Sequence, residues 1–172
     1  DASALKIGTE TRSPMRDITF ESCDVFDSDR GIILYARDGG PIENVTWRNI
    51  RMLMIDWPHE TGGAPFQFLI TNRGGFTSVR NCLVENVATS AVAPSAFAGL
   101  AEAPLDGLRL RNIKLNVGWP RYNRSQPCLF NVSNHVDVPL DGLILNWQSH
   151  RDQWGGLCKG QGLKIRQLLE VE

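Results

Sequence analysis

Short runs of alternating apolar and polar residues, each fenced by turn formers, recur along the whole 172-residue chain. The fullest copy runs from Gly31 to Leu53, GIILYARDGGPIENVTWRNIRML. Within it Ile32 and Leu34 fall on one face at period two, which predicts a strand, and Arg37-Asp38-Gly39-Gly40-Pro41 supplies a turn. The apolar positions that follow, Ile42, Val45, Trp47, Ile50 and Met52, keep their alternation only in pieces. Phase slips between Ile42 and Val45 and between Trp47 and Ile50 predict bends, each starting a new short strand.

The unit repeats. Asp17-Ile18-Thr19-Phe20-Glu21-Ser22-Cys23 matches Asn44-Val45-Thr46-Trp47-Arg48-Asn49-Ile50 position by position, and segments opening at Asn81, Gly107, Gly142 and Gly162 follow the same pattern. Successive copies lie roughly 20 to 37 residues apart, a period at which one supersecondary unit stacks on the next. Helical repeats need apolar stripes at i, i+3, i+4 and i+7 over ten or more residues, whereas these runs are short, rich in Ile and Val, and bounded by Gly, Asn, Asp and Pro. Leucine-rich repeats are shorter and more regular. The expected fold is therefore all-β: a right-handed, single-stranded parallel β-helix of about six coils, forming one domain over residues 1–172. Equivalent residues should stack, with Ile18, Val45, Cys82 and Leu108 in one column and Ser22, Asn49, Asn86 and Asn112 in another. The asparagines are expected to be buried in turns and to bond the coils above and below.

Composition changes this picture little. The net charge is −1 and no basic stripe argues for nucleic acid; no apolar run is long enough to span a bilayer. Cys23 and Cys82 take core slots and should be inert thiols, and Cys128 and Cys158 fall in neighbouring coils, where free buried thiols are expected over a disulfide. Their spacing does not suit a metal, and no cofactor is called for. Between Ala91 and Pro104 an Ala, Ser and Pro-rich stretch predicts a short helix or an open loop. Nothing before Leu5 reads as a cap for the end of a solenoid, so an upstream segment or a second chain is expected to cover it.

The succession ALKIGTET, RDITFESCDVFDSDRGIILYA, DGGPIENVTWRNIRM resembles the later coils of glycoside hydrolase family 28, the polygalacturonase group within the pectin-lyase-like β-helices. The likeness is good from Ala4 to Met52 and looser from Phe66 onward. It implies the C-terminal part of a larger carbohydrate-active β-helix, extracellular or periplasmic, with a polysaccharide or oligosaccharide as partner. The family's catalytic positions do not carry over. Its histidine falls on Ser3, its substrate-binding arginine and lysine fall on Ile33 and Tyr35, and its aspartates belong to coils before Asp1. A rival register, laying DASALK on the family's D-A-I-A-L-K, would make Asp1 one of the aspartates.

Inverting glycosidases need two carboxyl groups about 6.5–9.5 Å apart across the scissile bond. The outward groups expected here are Lys6, Ile33, Tyr35, Gln67 and Thr71, with Glu10, Arg37, Asp38 and Arg73 at strand ends. These offer cations and a stacking aromatic without an evident acid pair. The catalytic residues thus stay unassigned, the isolated chain is expected to be inactive, and Lys6, Glu10, Tyr35, Arg37, Asp38 and Arg73 are the candidate substrate-binding set. Each has a plainer reading: Lys6 as a solubilising lysine, Tyr35 as wall cover, Arg37-Asp38 as a turn with a surface ion pair. Trp57, His59, Trp119 and Tyr122 stand on long loops, where function concentrates. A non-catalytic carbohydrate-binding or structural solenoid and a polysaccharide lyase remain alternatives.

Overall fold

The computed structural model describes residues 3–54, 62–120 and 126–172, and Trp57, His59 and Tyr122 lie outside them. Among the described residues fourteen strands, numbered in chain order, form two sheets in which every pairing is parallel. One sheet holds six strands, in the order β1 (Ser3–Ile7), β4 (Arg30–Asp38), β6 (Ala64–Gly75), β9 (Ser95–Ala98), β11 (Cys128–Val132) and β13 (Gly156–Lys159). The other holds eight. Its main path is β2 (Met15–Glu21), β5 (Ile42–Met54), β8 (Cys82–Ala91), β10 (Leu108–Val117), β12 (Val138–Trp147) and β14 (Leu163–Val171), with β3 (Asp24–Ser28) and β7 (Val79–Arg80) also against β5. The chain crosses from sheet to sheet and returns beside its previous strand, which makes a parallel β-solenoid of about six turns. Among the described residues there is no α-helix, and the stretch expected to be helix or open loop between Ala91 and Pro104 contains β9 instead.

Side chains turned inward from both sheets fill the space between them. Phe20 stacks on Trp47 with ring centroids 5.9 Å apart, Trp47 meets Phe68 edge-on at 6.3 Å, and the series continues from Phe68 to Phe97 at 5.4 Å and Phe97 to Phe130 at 6.1 Å. Trp47, Phe66, Phe68, Phe97 and Phe130 are fully buried, so an aromatic seam runs through successive coils. Phe97 explains the strand at β9: a loop could not hold its ring in register between Phe68 and Phe130.

The expected column is present. Ile18 pairs with Val45 and Cys82 with Leu108, while the neighbouring pair Thr46 and Leu83 sets Val45 beside Cys82. The fifth coil differs from the sequence expectation, whereas the sixth keeps it, with Leu163 in the column of Leu108. Leu110 pairs with Leu140 and Leu140 with Ile165, so Val138 and Leu163, rather than Leu143, continue the column above Leu108. Gly142 consequently falls in the slot of Asn112 and not in that of Gly107.

That slot has a backbone reason. Ser22, Asn49, Asn86, Asn112, Gly142 and Gln167 all have positive φ, between 52° and 78°. Asn and Gly enter the left-handed region at least cost, and a residue held there bends the strand and resets its alternation. Asn44, at φ 55°, does the same five residues before Asn49. The two phase slips of the organising unit thus mark Asn44 and Asn49, yet β5 continues through both as one 13-residue strand instead of breaking into short pieces. The asparagines also bond between coils: the Asn86 amide donates to Asn49 Oδ1 at 3.1 Å and the Asn112 amide to Asn86 Oδ1 at 3.0 Å. Contrary to expectation this ladder is exposed.

Candidate functional site

On the outer face of the six-stranded sheet, Lys6, Ile33, Gln67, Ala96, Asn131 and Lys159 form one column by register. It contains no carboxylate. Tyr35 stands two residues along β4 from Ile33, on the same face, and its hydroxyl donates a short hydrogen bond to Gln67 Oε1. Lys6 Nζ and the Arg37 guanidinium carbon each lie 5.3 Å from the centre of the Tyr35 ring. Two cations thus share one aromatic face or its two sides, held by the ring quadrupole. Arg37 Nε is buried without a hydrogen-bond partner among the described residues.

Burial here differs from the expectation of an open row of outward groups. Ile33 is wholly buried and Gln67 is 5% exposed, while Tyr35 is half-buried. Of the expected outward series Lys6, Tyr35 and Thr71 are partly exposed, as is Arg37 at the end of the strand.

The strand-end candidates divide into two groups. Arg73 does not join Tyr35; it reaches Asp38, donating from Nε to Oδ1 and from Nη2 to Oδ2, each at 2.7 Å. Asp38 Oδ2 also accepts the Thr11 N–H at 2.8 Å. These donors hold the Asp38 carboxyl down at about 2, the Arg73 bonds contributing most and the Thr11 N–H next, against a smaller desolvation effect. Thr11, itself fully buried, accepts the N–H groups of Arg37 and Asp38 on its Oγ1 at 2.8 and 2.9 Å, and Thr77 Oγ1 accepts the Gly39 N–H at 2.9 Å. Asp38 and Arg73 therefore tie a corner of the solenoid. Glu10 pairs with Arg12 at 3.2 Å, both side chains being largely exposed, and its charge adds a small effect that favours the Arg73 guanidinium. The anticipated Arg37–Asp38 surface pair is replaced by the long-range Asp38–Arg73 pair.

Elsewhere, Trp119 packs edge-on against His150 with centroids 5.2 Å apart. Among the described residues no group of three or more His, Cys, Asp or Glu side chains comes together. Cys82 is buried and its thiol is pushed up by burial, as its core slot implied. All four cysteines are free, and Cys158 is exposed instead of buried. A groove of about 370 Å³ lies on the other sheet, where Asn81, Asp106, Arg109 and Pro139 contribute to its lining.

No protein-family model, curated protein or solved structure matches this chain.

Two features escaped the sequence reading. Asp29, between β3 and β4, is a carboxylate with a side chain only 1% exposed; Arg30 Nε is 3.5 Å away, and among the described residues neither oxygen has a hydrogen-bond partner. The second is a column of alternating charge. Glu21 pairs in register with Arg48, Arg48 with Glu85, Glu85 with Arg111, Arg111 with Asp141 and Asp141 with Arg166. Ion pairs join Glu21 to Arg48 at 2.9 Å, Glu85 to Arg111, and Asp141 to Arg166 at 4.0 Å. Every member directly precedes a left-handed slot, a signal that aligned copies of the repeat carry once the slot is known.

Proposed function

We propose that this chain is part of a carbohydrate-active β-helix of the polygalacturonase-like glycoside hydrolase type, and that it contributes a sugar-binding rather than a bond-cleaving surface. The observation that carries the reading is the Tyr35 group: a half-buried aromatic ring with Lys6 and Arg37 each 5.3 Å from its centre, on an outer face whose central column lacks carboxylates. An aromatic face suits the apolar side of a pyranose ring, and flanking cations suit an acidic sugar. Hydrolysis by inversion would require two opposed carboxyl groups, which the described residues of this face do not offer. The acids of a complete active site would come from outside these strands.

Calorimetric titration with oligogalacturonides and with neutral xylo- or cello-oligosaccharides tests the reading. Binding of the acidic series is expected, reduced at least about tenfold by Tyr35→Ala and by Lys6→Ala, with no release of reducing ends from polygalacturonate. Equal binding by wild type and Tyr35→Ala, or no binding by either, overturns it. Reducing-end release by the purified 172-residue chain would overturn the division between binding and cleavage.

A further inference from the structure

The eight-stranded sheet opens at one place in its interior, between β10 and β12. Leu105 lies opposite Val136 and Leu110 opposite Leu140, so residues 106–109 face residues 137–139 and one extra residue stands on the β10 side. Proline explains the gap. The Asp137 N–H bonds the Leu105 carbonyl and the Val138 N–H bonds Gly162 on the far side, so alternation turns the Pro139 nitrogen back towards β10, where it has no hydrogen to donate. A ladder of side chains stops at the same point. Asn44 donates to Asp17 Oδ1 at 2.9 Å and Asn81 to Asn44 Oδ1 at 2.7 Å, but the next position in that column is Gly107. No side chain fits there, since a Cβ on Gly107 would lie 1.9 Å from the Val79 carbonyl oxygen. Asn81 Oδ1 therefore receives no donor from the coil above, and the groove of about 370 Å³ opens beside it. Half-buried Leu83 and Pro139 give this groove an apolar wall. Asp106 and Arg109 stand exposed in its lining with no hydrogen bond or ion pair to another described residue, whereas Arg111 is taken up by Glu85.

We infer that this groove is a second ligand site, on the sheet away from Tyr35, and that it takes a neutral sugar through a vicinal diol. The Asp106 carboxylate and Asn81 Oδ1 accept from the hydroxyl groups, and the Arg109 guanidinium donates to their oxygens. The charges of Asp106 and Arg109 cancel and Glu85 neutralises Arg111, so the groove does not select an anion, in contrast with the two cations beside Tyr35. Leu83 and Pro139 suit the C–H face of a pyranose, and the volume lies near the lower end of the range of small-molecule sites. A zwitterion such as a free amino acid is the competing occupant. Ion pairs at exposed side chains contribute little, however, and leave the apolar wall unused. The assignment does not rest on the Tyr35 group, whose residues lie on the other sheet.

Amide chemical-shift mapping by two-dimensional NMR on the isotope-labelled chain tests the inference, with the methyl glycosides of glucose, galactose and xylose, with glycine, and with galacturonate as separate probes. At least one neutral glycoside should give saturable shifts at Asn81, Gly107, Leu108 and Arg109. Asp106→Ala and Arg109→Ala should each weaken that binding about tenfold, the scale of a hydrogen bond to a charged group. Both side chains are exposed, and unchanged amide positions away from the groove confirm that the variants are folded. Shifts around Lys6 and Tyr35 report the other face in the same spectra, so the two readings fail separately. Three results overturn the inference: no saturable shift at the groove with any neutral glycoside, glycine or galacturonate binding there more tightly than the glycosides, or glycoside binding that both variants leave unchanged.

Discussion

Arg73 grips Asp38 through two parallel hydrogen bonds of 2.7 Å, although 35 residues separate them in the chain. The clamp joins neighbouring strands β4 and β6 at one corner, where Thr11 from the preceding coil donates to the same carboxylate. Three coils thus converge on one acid. Because the Asp38 carboxyl is held near 2, below its unfolded value of about 3.9, its contribution to stability is present above about pH 4 and is lost as pH falls towards 2. Thermal unfolding followed across this window should show a falling midpoint in the wild type. Asp38→Asn should be less stable at neutral pH and should flatten that acid dependence; an unchanged slope would remove the clamp from the account.

Asn86 separates backbone strain from the side-chain ladder. With φ at 53°, it bonds both to Asn49 and to Asn112. Asn86→Gly removes both bonds but keeps the left-handed backbone accessible, whereas Asn86→Ala also imposes the cost of a Cβ in that region. The alanine variant should unfold at lower denaturant, by about 1–2 kcal/mol relative to glycine. Equal stabilities would mean that the bend relaxes.

Phe68 sits at the junction of the aromatic seam, in contact with Trp47, Phe66 and Phe97. Phe68→Ala should cost about 3–5 kcal/mol, measurable by equilibrium unfolding, with loss of near-ultraviolet dichroism from the Trp47 environment. A much smaller cost would show that the interior can collapse around the gap.

The cysteines should differ in access. In the native protein a thiol reagent followed by mass spectrometry should label Cys158 well before Cys82; burial pushes both thiols up, so access decides the order, and Cys82 is buried where Cys158 is exposed. Early labelling of Cys82 would contradict its position in the core column.

Much of this architecture is written locally. Alternation marks most of the strands, though not β9, and the slips after Ile42 and Trp47 mark the left-handed Asn44 and Asn49, because a two-residue period and a residue tolerant of positive φ are properties of a few neighbouring positions. The first four members of the core column were legible for the same reason. The fifth was not: Gly142 resembles Gly107 in sequence, while its φ of 78° and its pairing opposite Asn112 come from the register of β12 on β10.

The candidate site divides along the same line. Lys6, Tyr35 and Arg37 could be named from strand alternation, and the structure brings them together. Arg73 could be named too, but its choice of Asp38 over the outer face depends on how β6 lies against β4. Local patterning specifies where most strands extend and bend and which apolar side chains turn inward, but neither the strand at β9 nor the outward turn of the asparagines. The tertiary structure decided which residue stands above which, from Asp38 and Arg73 to the alternating column from Glu21 to Arg166. Loops of unequal length separate the coils, so vertical neighbours are fixed only when each strand docks on the one before it.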